Sequence, residues 1–404
     1  MPVVRDLHEG EALRALDERR PGTTLARESY ASDEAFSLDL QRLWHRRWMV
    51  AGFSCRVVKA GERFVFDLPG CGPAPSTSLI VIRGDDGVLR ALHNSCRHRG
   101  ARLCDAPGVA CDQATPAGDA RPIARLVCPY HQWSYGTDGA LLGCPGFDGQ
   151  TSTGFDRAAH GLMPAACVEV AGLVFVNLAP AALDSGAVMP AESEAIEAQL
   201  GPSRLATARV AAVRTWDVAA NWKLLVENNR ECLHCHASHP EYVRATWDAD
   251  RDLGRRTEAQ ADAIGSLRAR LADAGLPTEG LNVSSAMTGD GARANRTPLA
   301  PGFVSETLDG RPAAPPMGEF ARAAREAGDD TGINNGVNAA FDAGVARVTV
   351  WPNFWCHASA DHAAATLLVP TSATTTRVAV SWLVDGDAEL DAAATERLTA
   401  FWAR

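Results

Sequence analysis

Residues 96–133 read CRHRGARLCDAPGVACDQATPAGDARPIARLVCPYHQW, and the two ends of that stretch decide how the first half of the chain folds. Cys96 and His98 stand at one end, and Cys128 and His131 at the other. Each end pairs one thiolate donor with one imidazole. Two metal groups use such a set. A single zinc ion takes two cysteines and two histidines in a tetrahedron. A Rieske [2Fe–2S] centre gives two cysteines to one iron and two histidines to the other. Zinc fingers gather Cys-x-x-Cys and His-x-His pairs separately and carry a short helix, whereas mixed Cys/His pairs on loops between strands suit the two-iron group. Two unrelated buried Cys/His pairs are the bland alternative.

The surroundings of the stretch support loops between strands. RFVFDL (63–68), SLIVIRG (78–84), LRALHN (89–94), ARLVCPYH (124–131) and LVFVNL (173–178) are short, rich in Val, Ile and Phe, and bounded by Gly, Pro and Asp. They predict an all-β module running to about residue 179. Residues 105–123 are small, polar and proline-containing, which predicts a loop inserted between two strands. Before the module, Phe36, Leu38, Leu40, Leu43 and Trp44 form a helical stripe with Ser32 as N-cap.

A second stretch carries chemistry: residues 221–240, NWKLLVENNRECLHCHASHP. The stretch predicts a helix to about His239, and on one ideal helix Cys232, Cys235, His236 and His239 would share a face, and Glu231 and His234 another. One straight helix seldom wraps four ligands around one tetrahedral ion, so the two cysteines read as small buried residues. His239 precedes Pro240, which pushes it out of helical geometry and lets it turn back toward His234. Two histidines and one carboxylate make the facial triad of non-haem Fe(II) oxygenases.

CRHRG with CPYHQW resembles the Rieske signature of the Rieske non-haem iron oxygenases, and ENNRECLHCHASHP after NWK resembles their mononuclear iron motif. The resemblance implies an α+β protein: a Rieske [2Fe–2S] all-β domain and a helix-grip (START-like) catalytic domain with an antiparallel sheet. The boundaries expected are an arm and helix over 1–44 packing on the catalytic domain, the Rieske domain over 45–180, and the catalytic domain over 181–404. It implies Cys96 and Cys128 on one iron of the cluster, His98 and His131 on the other. It implies His234 and His239 on the mononuclear Fe(II). The family segment that supplies the third ligand resembles WPNFWCHASADHAAATLLVP and nominates Asp361. Glu231 matches the family's acid that reaches across a subunit interface, here to His131 of the partner subunit, and links the two metals. It also stands three residues before His234, where it can orient that ring. Against the family pattern, the segment between His98 and Cys128 is long, and the chain stops at Arg404 inside a helical pattern where relatives continue with a further helix. That leaves either a truncated chain or a short member of the family.

A cluster that moves one electron and an iron that activates O₂ together imply a terminal oxygenase fed from outside. With no GxGxxG after a strand, NAD(P)H and flavin are expected on a separate flavin/iron–sulfur reductase, with or without a ferredoxin. The resemblance implies a homotrimer. In motif it is closest to the subgroup that oxidises quaternary ammonium compounds such as glycine betaine, stachydrine and carnitine, with C–N cleavage. Trp247, Trp351, Phe354 and Trp355 are candidates for an aromatic cage around such a cation, against the plainer reading as core aromatics. Alternatives are ring or aliphatic C–H hydroxylation by the same machinery, a Rieske electron carrier with a ligand-binding domain, and a zinc-stabilised interaction protein.

Composition agrees. The 404 residues are 46% hydrophobic, enough for more than one core. A net charge of −10 argues against a nucleic-acid or anionic-membrane partner. No run of about 18 apolar residues is present, and the charged N-terminus lacks a signal-peptide core. Eleven cysteines then read as thiols and metal ligands in a cytoplasmic protein. Downstream, the sequence predicts helices over 191–200 and 255–275, irregular chain over 276–335, and strands over 346–355, 364–371 and 376–384.

Overall fold

The computed structural model describes residues 22–73, 75–105, 122–147, 154–184, 192–231, 234–246, 257–282, 292–326 and 341–402. Most of the predicted 105–123 loop, and Trp247, lie outside the described residues.

The first half is built from β1 (Met49–Phe53), β2 (Arg63–Leu68), β3 (Thr77–Arg83), β4 (Leu89–His93), β5 (Leu126–Val127), β6 (Ser134–Tyr135), β7 (Leu141–Gly143), β8 (Pro164–Val170) and β9 (Leu173–Asn177). Six of these form one sheet in the order β1-β9-β8-β4-β3-β2, and β5-β6-β7 form a smaller sheet. All pairings are antiparallel. β2 alternates half-buried and buried positions, and β1 and β9 are buried throughout, as strands between two layers must be. The small sheet has its own core, in which Cys96, Cys128, Trp133, Tyr135 and Leu162 meet.

Ahead of the strands, α1 (Asp33–Asp39) is capped by Ser32, whose Oγ accepts from Ala35 N at 3.1 Å. It continues through a π turn at Leu40–Trp44. This element packs on the second half. Trp44 meets Trp222 edge-on at 5.4 Å, and Trp222 Nε1 donates to Asp39 Oδ2 at 3.0 Å.

The second half is organised on a six-stranded antiparallel sheet of β10 (Arg209–Val218), β11 (Ala292–Thr297), β12 (Val345–Val350), β13 (Phe354–Ala358), β14 (Ala363–Ser372) and β15 (Thr375–Val384), in the order β10-β15-β14-β13-β12-β11. Its helices are α2 (Glu192–Leu200), α3 (Trp222–Asn229), α4 (Cys235–Ser238), α5 (Pro240–Ala245), α6 (Glu258–Asp273), α7 (Gly318–Glu326) and α8 (Ala392–Ala400). α6 opens on a capping box between Thr257 and Gln260. The Asn353 side chain ties the halves together, accepting from Val50 N at 3.1 Å and donating to Val50 O at 2.8 Å.

Three expectations are corrected. The 221–239 segment is not one helix. α3 ends at Asn229, and α4 begins only after His234, so the two histidines flank a single short turn. The 276–335 span holds β11 and α7. β11 reads ARANRT, with no apolar run, so only pairing with β12 makes it a strand. The run 346–355 is two strands, because a turn at Trp351–Asn353 with a cis Trp351–Pro352 bond divides it.

Candidate metal centres and the cavity beside them

Two loops of the small-sheet module present the four cluster candidates. Cys96 follows β4, and its Cys96–Gly100 turn is closed by Gly100 N donating to Cys96 O at 2.8 Å. Cys128 follows β5, and Gln132 N closes its turn onto Cys128 O at 3.1 Å. Both thiols are buried, at 3% and 2% exposure. The His98 and His131 rings lie 4.7 Å apart at 71°. His98 is stacked on Trp133, at 4.8 Å and 8°. Burial pushes the His98 imidazole below its usual range, with the His131 and Arg99 charges acting the same way. Tyr135 Oη lies 3.2 Å from Cys96 Sγ and accepts from Arg97 N at 3.0 Å. Burial, then the Cys96 contact, pushes the Tyr135 phenol up.

These residues fit a [2Fe–2S] group. His131 Nδ1 is buried without a hydrogen-bond partner among the described residues, a cost that coordination would remove. No three His, Cys, Asp or Glu side chains among the described residues converge as a single ion requires.

The second candidate centre sits where the chain turns twice in quick succession. His234 precedes α4, and His239 (φ −135°, ψ 60°) separates α4 from α5, whose first residue is Pro240. The two rings lie 5.5 Å apart at 79°. Glu231 Oε1 lies 2.8 Å from His234 Nδ1, which orients the ring so that Nε2, 4.0 Å from Cys235 Sγ, is the nitrogen that could take a metal. Cys235 is buried beside them. His236 places its Nε2 in a buried position with no hydrogen-bond partner among the described residues.

Both histidines line a cavity of about 460 Å³ between the turn and the sheet. The sheet's alternation decides what faces it. Ala346, Val348, Phe354, Ala365, Leu367 and Ala379 point into the core. Their neighbours Arg347, Thr349, Trp355, His357, Thr366, Val378 and Val380 point into the cavity. Register confirms the layer, with Thr349 opposite Trp355, Trp355 opposite Thr366, and Thr366 opposite Val380.

The nominated third ligand is not there. Asp361 does not line the cavity. It sits in the turn after β13 at 1% exposure, accepting from Ser305 Oγ and Ala313 N at 2.7 Å each and lying 3.1 Å from His362 Nδ1. Burial alone would raise its carboxyl, but the His362 charge and these hydrogen bonds outweigh it and hold Asp361 below its usual range. Burial likewise opposes charge on His362, and Asp361 and Glu306 overcome it and raise the imidazole. Asp361 and His362 are a buried ion pair. Among the described residues, the carboxylates that line the cavity are Glu231 and Glu241.

Of the aromatic candidates, Trp355 lines the cavity. Phe354 is 1% exposed in the core, one residue out of phase. Trp351 packs on Trp222 at 5.7 Å with the Arg47 guanidinium 4.6 Å over its ring. Sequence reasoning missed Trp216, Tyr242, Phe401 and Trp402, and it missed Arg293, Asn295, Arg347 and His357. The period-2 pattern through Arg347 and Thr349 was the available signal for part of that set. Nothing in ARANRT marked β11 as a wall of the site.

Fold and site together define the class, and comparison with known proteins agrees. Residues 48–153 match the Rieske [2Fe–2S] domain, and residues 205–404 match the catalytic domain of the ring-hydroxylating alpha subunit. The chain belongs to the Rieske non-haem iron oxygenases. It is 33% identical over 380 residues to the glycine betaine monooxygenase oxygenase subunit of Chromohalobacter salexigens, covering 93% of this chain and 74% of that one. In fold it is similar to a quaternary ammonium Rieske monooxygenase (TM-score 0.62, 18% identity, 93% of this chain and 79% of that one). It is also similar to naphthalene 1,2-dioxygenase from Rhodococcus sp. (TM-score 0.60, 17% identity, 98% and 80%). The chain is a terminal oxygenase, with a Rieske cluster and a catalytic iron as cofactors and a separate reductase supplying electrons from NAD(P)H. Among the described residues no helix is long and apolar enough to cross a membrane.

Proposed function

We propose that Cys96, Cys128, His98 and His131 hold the cluster, that His234 and His239 hold the catalytic iron, and that the enzyme oxidatively N-demethylates a quaternary ammonium compound. The observation that carries the substrate reading is the cavity itself. It opens from the His234/His239 pair and is lined by Trp216, Tyr242, Trp355, Phe401 and Trp402, ring faces that suit a methylated cation. The glycine betaine relative supports the same substrate class.

When bound, the catalytic iron supplies O₂ activation, using two electrons relayed from the reductase through the cluster. One substrate N–CH₃ becomes N–CH₂OH, the second oxygen atom leaves as water, and the C–N bond then cleaves to release formaldehyde and a tertiary amine. The chain's own residues hold and orient. Glu231 keeps His234 in one tautomer, and the rings hold the cation with a methyl group toward the histidines. In a cytoplasmic homotrimer Glu231 would also face His131 of the partner subunit, giving electrons a short path between the two metals.

Formaldehyde release tests this reading. Holoenzyme with a reductase, NADH and glycine betaine should form formaldehyde in step with O₂ consumption. A hydroxylated product with its C–N bonds intact would move the enzyme to the C–H hydroxylases of the same family.

A further inference from the structure

Glu241 follows Pro240 at the start of α5, two residues after His239. It is buried, at 6% exposure, and it lines the cavity. Among the described residues its carboxylate makes no hydrogen bond and no ion pair. Glu231, the other acid of the lining among those residues, is placed differently. Its side chain is 43% exposed, and its carboxylate is committed to His234 Nδ1 at 2.8 Å.

Burying a carboxylate without a partner is costly. Coordination does not offset that cost in this arrangement, because Glu241 does not converge with His234 and His239 as a third ligand. The carboxylate faces a space of about 460 Å³, which suits one small molecule. A cation in that space would offset the cost. A quaternary ammonium group has no N–H, so hydrogen bonds cannot hold it, whereas Coulomb attraction and ring faces can. Trp355 of β13 turns its ring to the same cavity, as does Trp402 beyond α8. The place of Glu241 in the chain also sets orientation. A carboxylate two residues from His239 holds a positive nitrogen at the end of the cavity where the two histidines stand, so an N-methyl group is what meets them.

We propose that Glu241 selects a cationic substrate, acting as the counter-ion of its quaternary nitrogen. The proposal rests on the quaternary ammonium reading above and names the side chain that recognises the charge.

Equilibrium binding to the oxidised holoenzyme tests it without turnover, using glycine betaine and its uncharged-centre isostere, tert-butylacetate, in which carbon replaces nitrogen. Wild-type enzyme should bind glycine betaine at least about tenfold more tightly than tert-butylacetate. Glu241→Gln keeps the shape and removes the charge. It should raise the Kd for glycine betaine by about tenfold or more and leave that for tert-butylacetate within about twofold, the range of an untouched contact. The variant should hold as much iron as the wild type, and without ligand it should melt no lower, since an unpartnered buried charge has been removed. Equal shifts for both ligands, or no shift for either, would overturn the proposal. So would wild-type enzyme that binds the two equally. Loss of one iron from the variant would make Glu241 a metal ligand instead, and a variant that melts lower or fails to fold would make it a residue of the fold. Charge selection that depends on Glu241 without formaldehyde release would keep the proposal and remove the demethylation reading. Formaldehyde release with selection independent of Glu241 would do the reverse.

Discussion

Glu231 Oε1 lies 2.8 Å from His234 Nδ1, three residues along the turn that joins α3 to α4. A carboxylate there fixes the tautomer of a metal-binding imidazole and raises its basicity. Glu231→Gln keeps the shape and the hydrogen bond but removes the charge. Both metals should remain, and single-turnover oxidation of the reduced cluster should slow about 10- to 100-fold. Stopped-flow absorbance reads that rate, and an unchanged rate would remove Glu231 from the electron path.

The His234/His239 pair predicts a clean separation of the two metals. His239→Ala should take the chain from about three irons to about two, while acid-labile sulfide and the brown cluster spectrum persist. The loops proposed to hold the cluster share their own core around Trp133 and Tyr135, so the cluster should not depend on the cavity. Loss of sulfide together with the iron would show that the two centres fold as one unit.

Asp361 should behave as a structural residue. Asp361→Asn leaves the charge of His362 buried without its partner, and breaking a buried pair in this way costs about 3–5 kcal/mol. The melting temperature should fall while iron content per folded chain stays the same. Loss of one iron without loss of stability would restore Asp361 as a ligand.

The same pair sets a pH dependence. Asp361 titrates below its usual range, so its contribution is present above the unfolded carboxyl value of about 3.9 and is lost as pH falls through the lower folded value. His362 titrates above its usual range, so its contribution is complete below about pH 6.5 and is lost as pH rises through the higher folded value. Melting temperature against pH should therefore decline on the alkaline side, and His362→Asn should flatten that decline. A variant that keeps the alkaline slope would assign it to other groups.

Tyr135 tests the cluster from its protein side. Its hydroxyl lies 3.2 Å from Cys96 Sγ, and a cluster-bound thiolate can only accept that hydrogen bond. Hydrogen bonds to the sulfurs favour the reduced, more negative state. One bond of about 1 kcal/mol corresponds to about 40 mV for one electron. Tyr135→Phe should lower the reduction potential by about that amount, as measured by a spectroelectrochemical titration, and an unchanged potential would remove the contact.

The sequence alone determined the class of this protein. The Cys/His pairs of CRHRG and CPYHQW, and the histidines on either side of a proline-forced turn, carry their chemistry in residue type and close spacing. Local backbone geometry preserves such information. Ser32 as a cap and the helix over 258–273 were legible for the same reason. Tertiary structure decided what long-range pairing controls. Asp361 matched a motif by spacing, yet a buried histidine and two hydrogen-bond donors hold it away from the cavity. Phe354 and Trp355 are adjacent in sequence, and the strand's alternation sends one to the core and the other to the cavity. Arg293 and Asn295 became wall residues only because β11 pairs with β12. Which side chains share a cavity is set by register and by the face of the sheet, and a one-residue change reverses both.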